Sequence, residues 1–112
     1  MRIAYRIWLD NDGKAFGEGP YRLLKGIEKT GSLRQAAAEQ CISYRKAWSI
    51  LRDIEKKLGF EILERQVGGV SGGGSALTPA GKSLMARYAR FRIEANKALE
   101  RIYLKHFRKR LP

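Results

Sequence analysis

Two helical patterns, each with its own cap and separated by a very short turn, constrain this chain more than any other feature. Gly31 closes a preceding helix, and Ser32 offers an N-cap oxygen to the next, whose Leu33, Ala36 and Ala37 share one face. Cys41 and Ile42 make the turn. Ser43 caps again, and Ala47, Leu51, Ile54 and Leu58 then recur at spacings of four, three and four, an apolar stripe directed at a core. Such an arrangement over residues 31–58 is a helix-turn-helix. The polar face of its second helix carries Tyr44, Arg45, Lys46, Ser49 and Arg52, donors long enough to reach base edges and phosphates in a major groove.

The flanking segments read as supports for that motif. Ile3, Tyr5, Ile7 and Leu9 alternate with Ala4, Arg6 and Trp8, which predicts a half-buried strand over 3–9. Asp10 to Lys14 form a turn. Its Asp-Asn-Asp-Gly run lacks the ligand spacing and the bidentate Glu of an EF-hand loop, so no calcium site is expected. Gly17 to Gly19 lead to Pro20, which opens a first helix with Leu23, Leu24 and Ile27 on one stripe and Gly31 at its end.

Beyond the motif, Gly59 is a C-cap, and Phe60, Ile62 and Leu63 with Arg65 predict a short strand. Residues 68–75 contain five glycines among eight, and Ala76 and Leu77 return as a second strand. A hairpin in that place is a wing. The bare amides of Ser71, Gly72 and Gly73, with Arg65 at the root, would track phosphates or a minor groove; the alternative is a flexible linker.

Thr78 caps and Pro79 begins a last helix that runs to about Phe107. Leu77, Gly81, Leu84, Tyr88, Phe91, Ala95, Ala98 and Ile102 keep four-three spacing, a seam about 40 Å long at 1.5 Å per residue. Pairing with a second copy through Leu84, Tyr88, Phe91, Ala95, Ala98 and Ile102 would cover it; folding back on its own domain is the alternative. The expected fold is mainly α with a small β wing. It is a winged helix-turn-helix DNA-binding domain over residues 1–78, followed by a long dimerisation helix and basic tail over 79–112.

Charge points to the class of partner. Lys and Arg number 23 against 11 Asp and Glu, a formal charge of +12, so the molecule's field favours a polyanion, and double-stranded DNA leads. After Glu100 come Arg101, Lys105, Arg108, Lys109 and Arg110 with no acid. Such a tail either contacts phosphate or is a solvated helix end, and composition does not separate the two. No apolar run approaches the roughly 20 residues of a membrane span, and Arg2 and Arg6 break any signal-peptide core. The single cysteine excludes an internal disulfide, and with one histidine it cannot make a structural zinc site, so no metal or cofactor is expected and a cytoplasmic location is.

Individual roles follow from side-chain chemistry. Arg45, near the helix start, is the expected base reader because it can grip guanine O6 and N7 in bidentate fashion; Lys46 suits a phosphate. Ser32, Arg34 and Gln35 open the preceding helix, whose amides can face the backbone. Trp48 is weighed as a packing residue ahead of a thymine-methyl contact. Ala76 to Ser83 nearly spells a P-loop, but Thr78-Pro79 already begins a helix and would put Gly81, Lys82 and Ser83 in its first turns. No nucleophile triad or paired-carboxylate pattern is evident, so an enzyme is not expected.

With these pieces assembled, the chain resembles the N-terminal DNA-binding domain of the ModE family of molybdate-responsive regulators. The resemblance rests on Gly31-Ser32 with Ala36-Ala37, on Ile42 to Trp48, on Leu63-Glu64-Arg65, and on the glycine tract followed by Leu77-Thr78 and Gly81. The same plan looks like the related LysR-type regulators. In the ModE family molybdate binds in C-terminal β-barrel domains, so the resemblance implies no molybdate site within these residues. Cys41 stands where the family usually has Gly, which implies a left-handed residue at a cost of roughly 1 kcal/mol or a differently bent turn. An inert, partly buried thiol is expected there. The expectation drawn from all of this is a homodimeric, sequence-specific transcriptional regulator. An architectural or weakly specific DNA binder, or a protein-interaction adaptor, stands as the alternative.

Overall fold

The computed structural model describes residues 1–66 and 74–112, with Arg65 and Gln66 described by their backbone alone. Its elements run β1 (Leu9–Asp10), β2 (Lys14–Phe16), α1 (Glu18–Thr30), α2 (Leu33–Glu39), α3 (Tyr44–Leu58), β3 (Leu63–Gln66), β4 (Gly74–Leu77) and α4 (Pro79–Phe107). The architecture is a winged helix-turn-helix with a long terminal helix.

The helix ends follow the capping residues. Ser32 Oγ accepts from Gln35 N at 3.1 Å, Ser43 Oγ from Lys46 N at 3.0 Å, and Thr78 Oγ1 from Gly81 N at 3.0 Å. Gly31 and Gly59 close α1 and α3 in the left-handed conformation, as their sequence positions predict. Helix α1 starts at Glu18, two residues before Pro20, which sits within the first turn where its missing N–H leaves no bond unmade.

The core gathers the apolar stripes of every helix. Leu23, Leu24 and Ile27 of α1 meet Leu33, Ala36 and Ala37 of α2, Ala47, Leu51 and Ile54 of α3, and Ile62, Leu63 and Leu77 of the wing root. Close packing of α1 on α2 depends on Gly26, where a Cβ would lie 2.8 Å from that of Ala36. Phe16 enters from β2 and meets Tyr88 of α4 edge to face, with ring centroids 5.0 Å apart. Burial, with the Glu18 carboxylate beside it, pushes the Tyr88 phenol above its usual value.

Two sequence expectations are corrected. The strand expected over 3–9 does not form; only Leu9 and Asp10 pair, with Phe16 and Lys14. Residues 3–8 have no strand partner, and Ile3 and Ile7 are half-buried while Tyr5 O–H donates to Asn96 Oδ1 of α4 at 2.7 Å. Period-two alternation marks residues that share one face and leaves open what that face meets; here Tyr5 reaches a helix, not a neighbouring strand. The second correction concerns Cys41, which is exposed where a partly buried thiol was expected; its φ of 59° is the left-handed turn.

The Asp10–Lys14 turn has a structural use. Asn11 Nδ2 donates to the Lys57 carbonyl at 2.7 Å and Lys57 Nζ to the Lys14 carbonyl at 3.2 Å. The first bond satisfies one of the carbonyls left open at the end of α3, so the β1–β2 hairpin secures the C-terminal end of that helix.

The apolar seam of α4 is divided. Gly81, Met85 and Tyr88 are buried in this chain's own core, Tyr88 at 3% exposure, and Leu84 packs partly against it. Farther along, Ala95 and Ala98 are half-buried, while Phe91 and Ile102 are 42% and 51% exposed. Heptad spacing tells which residues share a face and leaves open whose core that face joins. Among the described residues no helix is long and apolar enough to cross a membrane.

Candidate nucleic-acid interface

The short turn fixes how α3 is presented. Gln40 N bonds back to the carbonyls of Ala36 and Ala37, Cys41 N to Ala38 and Ile42 N to Ala37, so α2 ends tightly and α3 begins three residues after Cys41. With Ala47, Leu51 and Ile54 buried, the other side of α3 must face out, and Arg45, Lys46, Ser49 and Arg52 are all exposed. Ser43, Arg34 and Gln35 are exposed too, Ser32 and Tyr44 half so. Among the described residues the side chains of Arg45 and Lys46 form no hydrogen bond or ion pair. They are cations held on a rigid helix with their donors uncommitted.

Arg34, Tyr44 and Arg52 are tied together through Trp48. The Arg34 guanidinium of α2 lies 4.3 Å from the Tyr44 ring centroid, Tyr44 meets Trp48 edge to face at 6.3 Å, and the Arg52 guanidinium lies 4.7 Å from the Trp48 ring. A ladder of cation, ring, ring and cation therefore crosses from the start of α2 along α3, each contact contributing about 0.5–1 kcal/mol at exposed sites. Trp48 packs against the core and forms the platform of this ladder. From Arg52 the connection continues, because its Nη1 donates to Glu55 Oε1 at 2.8 Å.

Glu55 escaped the sequence reading. Its Oε2 accepts from Ile62 N at 2.8 Å and Leu63 N at 3.4 Å, joining α3 to the strand that begins the wing. An acid three residues after Arg52 is a visible helix pair, but which backbone amides it captures depends on the turn beyond Gly59.

The wing root is an antiparallel pair. Leu63 faces Leu77, Glu64 faces Ala76, Arg65 faces Ser75 and Gln66 faces Gly74, so Arg65 stands on the strand as expected. Ser75 N donates to the Gly31 carbonyl at 3.0 Å, which sets β4 beside the end of α1. Ser71, Gly72 and Gly73 lie outside the described residues. At the far end of the molecule Lys105 and His106 occupy the last turn of α4, and Arg108 to Arg110 follow it, exposed. The near-P-loop is a helix start: Gly81 N is engaged by Thr78 in the first turn of α4.

Comparison with known proteins agrees with this geometry. The chain is 35% identical over 102 residues to the molybdenum transport protein ModE of Azotobacter vinelandii, a match covering 90% of this chain and 38% of that protein. It is 43% identical over 67 residues to the transcriptional regulator ModE of Haemophilus influenzae, covering 60% and 26%, and 38% identical over 66 residues to the DNA-binding transcriptional dual regulator ModE of Escherichia coli, covering 59% and 25%. The chain thus spans well under half the length of these curated relatives. Among solved structures, the CbnR DNA-binding domain in its DNA complex superposes with a TM-score of 0.60 at 20% identity, over 80% of this chain and 98% of that one. The profile of bacterial regulatory helix-turn-helix proteins of the lysR family matches residues 21–82, and with the winged fold just described this chain belongs to that family.

Proposed function

We propose that this chain is a sequence-specific transcriptional regulator that binds double-stranded DNA as a homodimer in a prokaryotic cytoplasm. The observation that carries the reading is the row of exposed donors on α3, two of them uncommitted cations, displayed beside a β wing on a chain of charge +12. In this reading α3 enters a major groove, Arg45 reads a base, and Lys46 and the first turn of α2, with Ser32, Arg34 and Gln35, take phosphates. Ser43, Tyr44, Ser49 and Arg52 complete the contact, with Arg65 and the Ser71 to Gly73 segment along the flanking backbone. The relatives from Haemophilus influenzae and Escherichia coli are transcriptional regulators, which supports the same assignment, and no enzymatic role is proposed.

Dimerisation is assigned to the exposed part of the α4 seam, Phe91, Ala95, Ala98 and Ile102, with Leu84 at its inner end, so that residues 79–112 serve assembly and residues 1–78 serve DNA. At 29 residues the helix extends about 43 Å, and Ile102, Leu104 and Phe107 in its outer turns are exposed apolar side chains that a second copy would cover. A twofold pair would set two α3 helices toward successive major grooves about 34 Å apart. By sedimentation velocity at tens of micromolar, the wild-type protein is expected to run as a dimer and Ile102→Glu as a monomer, with dimer affinity lowered by roughly a hundredfold. A monomeric wild type removes the dimer.

Fluorescence anisotropy tests DNA reading directly, with the duplex upstream of the protein's own gene and a scrambled duplex of equal length at near-physiological salt. A preference of about a thousandfold is expected of an operator reader. Equal affinities favour the architectural alternative or an operator elsewhere, and absence of binding to both favours an adaptor.

A further inference from the structure

Glu55 sits where its own helix disfavours it. It lies in the last turn of α3, where the macrodipole is negative, and it is only 9% exposed. A buried carboxylate survives there because its oxygens are occupied. One takes the Arg52 guanidinium at 2.8 Å; the other takes the amides of Ile62 and Leu63, the entry to β3. Arg52 is therefore gripped twice, by Glu55 at one edge and by the Trp48 ring against its plane, while its side chain remains 59% exposed. A guanidinium has five N–H donors, so those not directed at Glu55 remain for a ligand.

We propose that Glu55 is a positioning residue for DNA recognition: a single carboxylate that aims Arg52 and fixes the root of the wing to the recognition helix. The inference rests on the DNA-binding function proposed for this chain. It goes beyond that function by assigning specificity to a residue that touches no DNA. Without Glu55, Arg52 keeps its charge and loses its direction, so general attraction to phosphate survives and discrimination declines. Removing a negative charge cannot weaken non-specific affinity by electrostatics, whereas a mere loss of folded protein lowers affinity for all duplexes alike.

The experiment uses a duplex enriched by the wild-type protein from a random library, with a scrambled duplex of the same composition. The quantity read is the ratio of the two dissociation constants for wild type, Glu55→Gln, Arg52→Gln and the double variant. Glutamine keeps one oxygen for the Ile62 and Leu63 amides and removes the charged partner of Arg52. The ratio is expected to fall about tenfold in each single variant, with scrambled-duplex affinity unchanged or slightly raised in Glu55→Gln, and the double variant within about twofold of the singles. A ratio within twofold of wild type in Glu55→Gln overturns the proposal, as does an equal loss on both duplexes or a double variant in which the two losses multiply. Should Glu55→Gln not fold by circular dichroism, Arg52→Lys decides. Lysine retains the charge but cannot stack and pair together, so a fall of about fivefold is expected and an unchanged ratio overturns the proposal. A wild-type protein that enriches no duplex removes the DNA reading and this inference with it; enrichment with an unchanged Glu55→Gln ratio removes this inference alone.

Discussion

Gly81→Ala is expected to destabilise the fold by about 2 kcal/mol and to lower the melting temperature by roughly 10 °C, although alanine is the better helix former. An added Cβ would stand 2.6 Å from the Ile62 carbonyl oxygen and 3.2 Å from the Ile62 Cγ2. That carbonyl cannot retreat freely. It accepts from Thr78 N at 2.8 Å and from Thr78 Oγ1 at 3.2 Å, and the neighbouring Ile62 N is held by Glu55. Relieving the overlap therefore means lifting the start of α4 from the wing root, where Ile62 is fully buried. The propensity gain of alanine, at most about 1 kcal/mol and smaller in a first turn, does not offset this. Gly19 in α1 is the control: a Cβ there meets nothing within 4 Å, and Gly19→Ala should be neutral or stabilising by up to about 1 kcal/mol. Thermal melts followed by circular dichroism measure both, and equal melting temperatures for Gly81→Ala and wild type would show that the packing of α4 on Ile62 has slack.

Arg45→Ala is expected to relax base preference by roughly ten- to a hundredfold at one position of each half-site while leaving scrambled-duplex affinity nearly unchanged. The reason is its combination of exposure, rigid support in the first turn of α3 and lack of any partner among the described residues, which leaves the whole fork of donors for a base. Lys46→Ala should behave differently. With one phosphate fewer neutralised by each protomer, affinity falls uniformly across duplexes, and the slope of log K against log salt is reduced by about 1.8 for a dimer, or about 0.9 for a single copy. Anisotropy titrations at four salt concentrations separate the two residues and reveal the number of copies on the duplex. A loss that is uniform across duplexes for Arg45→Ala would reassign it to the phosphate backbone and favour the weakly specific alternative.

Much of this architecture was legible in the residues because it is encoded locally. Ser32, Ser43 and Thr78 each cap the helix that follows, Gly31 and Gly59 each close one, and Ala47, Leu51 and Ile54 form the buried stripe, since capping and periodicity are properties of a few neighbouring residues. The exposed donors of α3 followed at once, for a stripe toward the core implies the face that remains outside.

What needed the tertiary structure was the choice of partner for each face. Local sequence carried the alternation of residues 3–9, but only packing decided that Ile3 and Ile7 lie unpaired as strand and that Tyr5 bonds to α4. The α4 spacing marked Tyr88 and Phe91 alike, and the approach of Phe16 buried the first while the second stayed open. Glu55 is the sharpest instance. Its residue type and its distance from Arg52 are written in the chain, whereas the amides of Ile62 and Leu63 reach its carboxylate only after Gly59 turns the backbone and the wing root settles on α3. Covalent neighbours dictate caps, stripes and turns; contacts between segments far apart in sequence form only when the core is assembled, and the tie between α3 and the wing root is one of them.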